Sequence, residues 1–187
     1  MKKFLLVSSL MLLAGTFAAT AQSKFFTRNG HISFNASSPL EKIEAINEKA
    51  VSVFDVATGQ LEFSALMKAF FFERALMQEH FNENYVESDK FPKATFKDAV
   101  ANQASINLGK DGIYTARVAG KLTMHGVTRD VETNATFLVK NGSIVATTEF
   151  KIETADYNIE IPSVVKDKIA KTITINVKVN YEVLKSS

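Results

Sequence analysis

The chain has 187 residues, 46% of them hydrophobic and 22% charged, and no cysteine. That length suits one globular domain, and the composition excludes a disordered, collagen-like or disulfide-stapled protein. Lys and Arg number 22 against 20 Asp and Glu, but Lys2 and Lys3 lie in a segment expected to be removed, so the remaining chain is neutral and nucleic acid is not an expected partner.

Met1-Lys2-Lys3 is a cationic start, Phe4 to Ala14 is mostly apolar, and Ala19-Thr20-Ala21 supplies the small residues that a signal peptidase needs. The apolar run is broken by Ser8, Ser9, Gly15 and Thr16, and it falls short of the ~20 residues that span a bilayer. The expectation is a signal peptide over residues 1–21, cleaved after Ala21, and one exported domain over 22–187 that is periplasmic or secreted and not stably inserted in a membrane. No cysteine stands at the cut to carry a lipoprotein anchor.

From Ile43 onward, short segments rich in Val, Ile, Phe and Thr alternate apolar with polar positions, the period of a strand with one buried face. Val51 and Val53 open the apolar series, and Leu61, Phe63 and Ala65 continue it. Tyr114, Ala116, Val118, Gly120, Leu122 and Met124 form one face of a long strand, and Ile173, Ile175, Val177, Val179, Tyr181 and Val183 form another. Half-solvated strands of this kind are typical of antiparallel sheets.

Turn residues set the expected register. Asn141-Gly142 is a strong two-residue hairpin signal. It pairs Val139 with Ile144, Phe137 with Ala146, Ala135 with Thr148, Thr133 with Phe150 and Val131 with Ile152, all on one face. Around Asp111, a three-residue loop ending in a left-handed Gly112 sets Leu108 against Tyr114 and Ile106 against Ala116. The turn at His125-Gly126 needs an even number of loop residues to keep Leu122 and Val131 on one face, which leaves Arg129 facing inward at the sheet's end.

Glu73 to Val86 breaks the alternation, and Leu76, Met77, Phe81 and Tyr85 recur at helical spacing, which predicts a short amphipathic helix. Pro92 lacks an amide hydrogen and returns the chain to an extended state. A second helical turn is expected in Val164 to Ala170. So many strands with so few helices hide their apolar face most economically in a sheet closed on itself. The expected fold is all-β, an eight-stranded or slightly larger antiparallel β-barrel with one or two short helices. Its interior is just wide enough to be filled by side chains or to hold one slender ligand.

Nothing in the chain assembles into a catalytic or metal motif. His31, His80 and His125 are far apart and lack partners at ligand spacing. There is no nucleophile elbow or phosphate-binding Gly-rich loop, and thiol chemistry is excluded. The expectation is therefore no enzyme, no cofactor and no metal. Fifteen Phe and no Trp make the distinctive feature excess apolar bulk, concentrated where Phe70-Phe71-Phe72 runs into the predicted helix. This corner either plugs the barrel as core or lines a pocket for a long hydrocarbon.

Several stretches resemble one family. They are Ser64 to Phe72, Leu76-Met77 with Glu79-His80-Phe81, Tyr85 to Phe96, Gly120 to Arg129, and Asp156 to Pro162. In this order and spacing they are similar to the YceI-like, polyisoprenoid-binding family, from about Ile43 to Val183. The resemblance implies an exported, lipocalin-like barrel without enzymatic activity, whose apolar channel accepts an isoprenoid chain such as that of a quinone or prenyl phosphate. Two positions depart from the family pattern, Asp130 standing where a proline is usual and Asn158 where a glycine is common.

The side chains expected against such a ligand are Phe63, Met67, Phe70, Phe72, Leu76, Met77, Phe81, Tyr114, Val118, Leu122, Met124, Phe137 and Phe150, with any anionic head near His125 or Arg129. Two function classes stand at this point. One is a carrier or reservoir for an isoprenoid or other long-chain apolar lipid, and the other is a ligand-free structural or protein-interaction module on the same barrel.

Overall fold

The computed structural model describes residues 24–184. The expected signal peptide over residues 1–21, with its expected cut after Ala21, lies outside the described residues. Nine strands follow one another: β1 (Lys24–Ser37), β2 (Glu44–Asp55), β3 (Gln60–Leu66), β4 (Phe71–Phe72), β5 (Lys93–Val100), β6 (Gly112–Met124), β7 (Val127–Lys140), β8 (Ser143–Glu153) and β9 (Ile169–Val183). All pairings are antiparallel, in the order β1-β9-β8-β7-β6-β5-β3-β2, and β2 pairs back onto β1. Eight strands thus close into the expected barrel. The two-residue β4 adds to Ala45 and Ile46 of β2, beyond the stretch of that strand that pairs with β3.

β1 is absent from the expected strands, and the reason is local. Its ladder with β2 shifts register between Thr27 and Gly30 and again between Gly30 and Ile32. The inward positions therefore pass from the buried Phe25 and Thr27 to Gly30 and then to the half-buried Ile32 and Phe34 and the buried Ala36, without one unbroken alternation. On β2 the expected face is reversed. Ser52 and Phe54 are buried while Val51 and Val53 are exposed, because the large Phe54 ring packs on Phe137 and Tyr181, and Ser52 bonds the Tyr181 hydroxyl at 2.8 Å.

The hairpin registers mostly follow the turn residues. Val139 pairs with Ile144, Phe137 with Ala146 and Ala135 with Thr148, as the Asn141-Gly142 turn requires. The register ends there, so Thr133–Phe150 and Val131–Ile152 are not pairs, although β7 runs on beside β6 and β8 beside β9. His125-Gly126 is a two-residue turn with both φ positive, 50° and 74°, joining Met124 to its partner Val127. By contrast, Ile106 and Leu108 form no strand. β6 takes β5 as its neighbour from Thr95–Thr123 to Val100–Val118, Gly112 has no positive φ, and the 101–111 connection folds over the barrel end with Ile106 buried.

The predicted helix is α1 (Ala75–His80), continued by a π turn over Phe81–Tyr85. The turn expected in Val164 to Ala170 is a 3-10 turn at Ser163–Val165, after which β9 begins at Ile169. Strand connections alternate between two ends. One end is packed shut by Phe25, Phe54, Ile106, Phe137, Val139, Ile144 and Tyr181. The other carries α1, the π turn and a second cluster that includes Met67, Phe70, Phe72, Val86 and Tyr157.

In the wall between them, Gly120 faces Asp98 across the β5–β6 ladder and the Phe96 ring lies over it. A Cβ there would stand 2.6 Å from Phe96 Cζ and 2.7 Å from the Lys97 carbonyl oxygen, and the backbone atom cannot swing away. Gly120→Ala should therefore lower stability by roughly 1–3 kcal/mol, the range for overpacked sites. A urea melt checks this, and an unchanged midpoint would show that the wall has slack at this position.

Candidate functional site

The barrel encloses a cavity of about 460 Å³, within the range of ligand pockets of roughly 300–1,000 Å³. Its wall comes from inward positions of the strands, including Ile32 and Phe34 of β1, Phe63 of β3, Val118 and Leu122 of β6, Val131 and Phe137 of β7, Ala146 and Phe150 of β8, and Ile175 to Tyr181 of β9. The period-2 placement of apolar side chains thus builds a wall that is almost wholly hydrocarbon. Among its polar groups are two threonine hydroxyls that the protein itself engages. Thr133 Oγ1 donates to the Glu149 carbonyl and Thr148 Oγ1 to the Asn134 carbonyl, both at 2.9 Å.

Toward the α1 end the wall becomes aromatic. Phe34 lies 5.4 Å from Phe70, 5.7 Å from Phe72 and 5.5 Å from Phe81, and Phe72 lies 5.0 Å from Phe81, all by ring centroids. Tilted and edge-on rings at these spacings attract one another beyond simple burial. β1, β4 with its flanking residue, and the π turn each supply a ring to this cluster. The mouth is framed by Glu41, Arg74, His80 and Lys168. Arg74 pairs with Glu41, which ties the start of α1 to the β1–β2 turn, and Phe72 N–H donates to Gln78 Oε1 at 3.2 Å.

Twelve expected residues border this one cavity: Phe63, Met67, Phe70, Phe72, Leu76, Met77, Phe81, Val118, Leu122, Met124, Phe137 and Phe150. Three stand outside its lining. The Tyr114 ring packs against the shut end, and its hydroxyl donates to the Lys110 carbonyl at 2.8 Å. Arg129 lies at the end of β7 and borders a smaller cleft.

His125 is a tie between loops. Its Nδ1 is 2.9 Å from the Tyr157 carbonyl oxygen and its Nε2 is 2.9 Å from Glu87 Oε2, while the Phe91 ring meets it edge-on at 4.8 Å. A carbonyl and a carboxylate both accept, so the two bonds form together when both ring nitrogens carry hydrogen. Gly126 leaves room for Phe91, whose Cε1 would be 2.7 Å from an added Cβ. The two departures from the family pattern also find local reasons. Asn158 is left-handed at φ 56°, a conformation asparagine tolerates best after glycine, and Asp130 pairs with Lys121 at 2.8 Å.

The lining also holds Phe34, Ile32, Ile159 and Ile161, and the mouth Glu41, Arg74 and Lys168, none of which is among the residues expected from the sequence. For Phe34 the signal was the alternation Ile32-Phe34-Ala36, which the bulges at Gly30 separate from the rest of β1. Burial pushes the Tyr181 phenol well above its usual range at the shut end, so a neutral side chain faces the cavity there. Among the described residues, no cluster of His, Asp or Glu could hold a metal ion, and no helix is long and apolar enough to cross a membrane.

Comparisons with known proteins agree with this geometry. A polyisoprenoid-binding domain from Saccharophagus degradans, implicated in plant cell wall breakdown, superposes with a TM-score of 0.77 at 15% identity, covering 88% of this chain and all of the other. BcnA of Burkholderia cenocepacia gives a TM-score of 0.67 at 17% identity over 82% of this chain and 96% of the other. A curated relative, the UPF0312 protein of Pseudomonas fluorescens, is 31% identical over 111 residues, 59% of this chain, and the match spans only 46% of that relative's length. The sequence model of the YceI-like domain matches residues 15–181, nearly the whole chain, and the protein belongs to the YceI-like family.

Proposed function

We propose that this chain is exported after cleavage behind Ala21 and holds an isoprenoid chain, of the quinone or prenyl phosphate type, as a periplasmic or secreted carrier or reservoir. The observation that carries this reading is the cavity of about 460 Å³ with its almost unbroken hydrocarbon wall, opening at a mouth framed by Glu41, Arg74, His80 and Lys168. The likeness to a polyisoprenoid-binding domain supports it at the level of ligand class. Transfer of an apolar chain from water into such a wall is favourable by about 25 cal/mol per Å² buried. The ligand would lie against the twelve expected residues and against Phe34, and the function needs no catalytic group.

Native mass spectrometry of the protein purified from its own host, followed by lipid extraction, tests this directly. The expected result is a mature chain beginning at Gln22 with one isoprenoid lipid bound. An intact mass that retains Met1 contradicts the export reading. Recovery of no lipid after gentle purification favours the ligand-free module.

Ala146 separates a hollow barrel from a filled one, since it borders the cavity and faces Phe137 across the β7–β8 ladder. In the hollow barrel, Ala146→Phe occupies ligand space, so the delipidated protein keeps its denaturant midpoint while isoprenoid uptake falls. A loss of roughly 1–3 kcal/mol, as overpacked cores show, with uptake unchanged would contradict the carrier reading.

A further inference from the structure

The β7–β8 ladder ends at Ala135–Thr148, although both strands continue past it on their other neighbours. At that point Thr133 and Thr148 stitch the seam by donating to the carbonyls of Glu149 and Asn134, with their hydroxyl oxygens 3.0 Å apart. Beyond the stitch the strands part around a cleft of about 150 Å³, bordered by residues including Arg129, Lys151, Asp156 and Tyr157. Val131 and Ile152 border this cleft and the main cavity alike. An apolar interior and a polar cleft therefore meet at the same two side chains in the wall.

The cleft has unused polar capacity. Arg129 pairs with Leu122 in the β6–β7 ladder and so belongs to the inward series of β7, and among the described residues it forms no ion pair; nor does Lys151, on the opposite strand. Three carboxylates line the cleft as well: Asp130 is held by Lys121 and Glu153 accepts from Thr172, while Asp156 has no ion-pair partner. The Tyr157 side chain is 1% exposed, and its hydroxyl has no hydrogen-bond partner. A buried hydroxyl without a partner is destabilised until one arrives.

We infer that the β7–β8 seam is a side opening of the cavity, and that it seats the phosphate head of a prenyl phosphate on Arg129, with Lys151 at the outer rim of the cleft and Tyr157 at its floor. This rests on the isoprenoid-binding reading and narrows it. A guanidinium matches the oxygens of a phosphate in two parallel charge-assisted bonds, whereas a quinone carbonyl offers it no charge. The apolar chain would pass inward between Val131 and Ile152.

The test measures binding of farnesyl monophosphate and farnesol to the full mature chain, with inorganic phosphate as competitor, and takes the ratio of the two prenyl affinities as readout. The wild type should prefer the monophosphate by about tenfold or more. Arg129→Gln should bring the ratio close to one, Arg129→Lys should restore part of it, and inorganic phosphate alone should not displace the prenyl ligand. Arg129 is exposed, so its replacement leaves the core intact. A wild-type ratio near one, a ratio unaffected by Arg129→Gln, or displacement by inorganic phosphate overturns the proposal. So does loss of the ratio in Arg74→Gln or Lys168→Gln with Arg129→Gln unaffected, which would put the head at the mouth. If neither farnesol nor its phosphate binds, the isoprenoid reading fails with it, and that outcome differs from binding without discrimination.

Discussion

Closure of the sheet through β1 is the constraint on which the rest of the structure depends. β1 pairs with β2 on one edge and β9 on the other, so every strand of the ring has a paired neighbour on both sides, although the β7–β8 ladder stops at Ala135–Thr148. The wall is therefore held by backbone hydrogen bonds that run around the ring, and it does not need side chains meeting at the centre. An ordinary core could not leave about 460 Å³ unfilled without a large loss of packing. Here the interior is lined yet hollow, in a chain without cysteine.

The two ends divide the work. At one, Phe54 packs on Phe137 and Tyr181, and Ile106 folds in from the β5–β6 connection, giving a side-chain core that anchors the ring. At the other, Phe34, Phe70, Phe72 and Phe81 surround the cavity, and α1 lies over it without burying any residue of its own. Helix α1 rests chiefly on β4 and its own continuation. Its position at the mouth is fixed by Arg74–Glu41, by Gln78 accepting from Phe72, and by side chains such as Met77 that reach inward. His125 then joins the β6–β7 turn to Glu87 and Tyr157, holding three loops of this end together.

Much of this was legible in the sequence where side-chain period and turn chemistry agree. β6, β7 and β9 carry long alternations, and the turns at His125-Gly126 and Asn141-Gly142 fix their partners. Legibility ended where the backbone departs from regularity. The bulges in β1 hid Phe34, and β2 favours the face with Phe54 over the face with two valines because tertiary packing outweighs propensity. Ile106 and Leu108 read as a strand because the alternation of a strand and of a plug with two inward side chains is the same over three residues. The parting of β7 from β8 leaves no mark in the pattern either, since Thr133 and Val131 keep their inward parity after the ladder has ended. Charged residues at the mouth come from turns and from the start of α1, and no periodicity locates those.

Co-crystallising the protein with a bromine-tagged isoprenoid, and locating the bromine by its anomalous signal, tests whether the closed ring surrounds an apolar space that accepts a chain-like ligand. A peak is expected inside the ring, between the Phe34–Phe70–Phe81 cluster and the Phe137–Tyr181 end. A bromine bound only on the outer surface, with Phe63, Phe96 and Phe150 collapsed together across the centre, would contradict it.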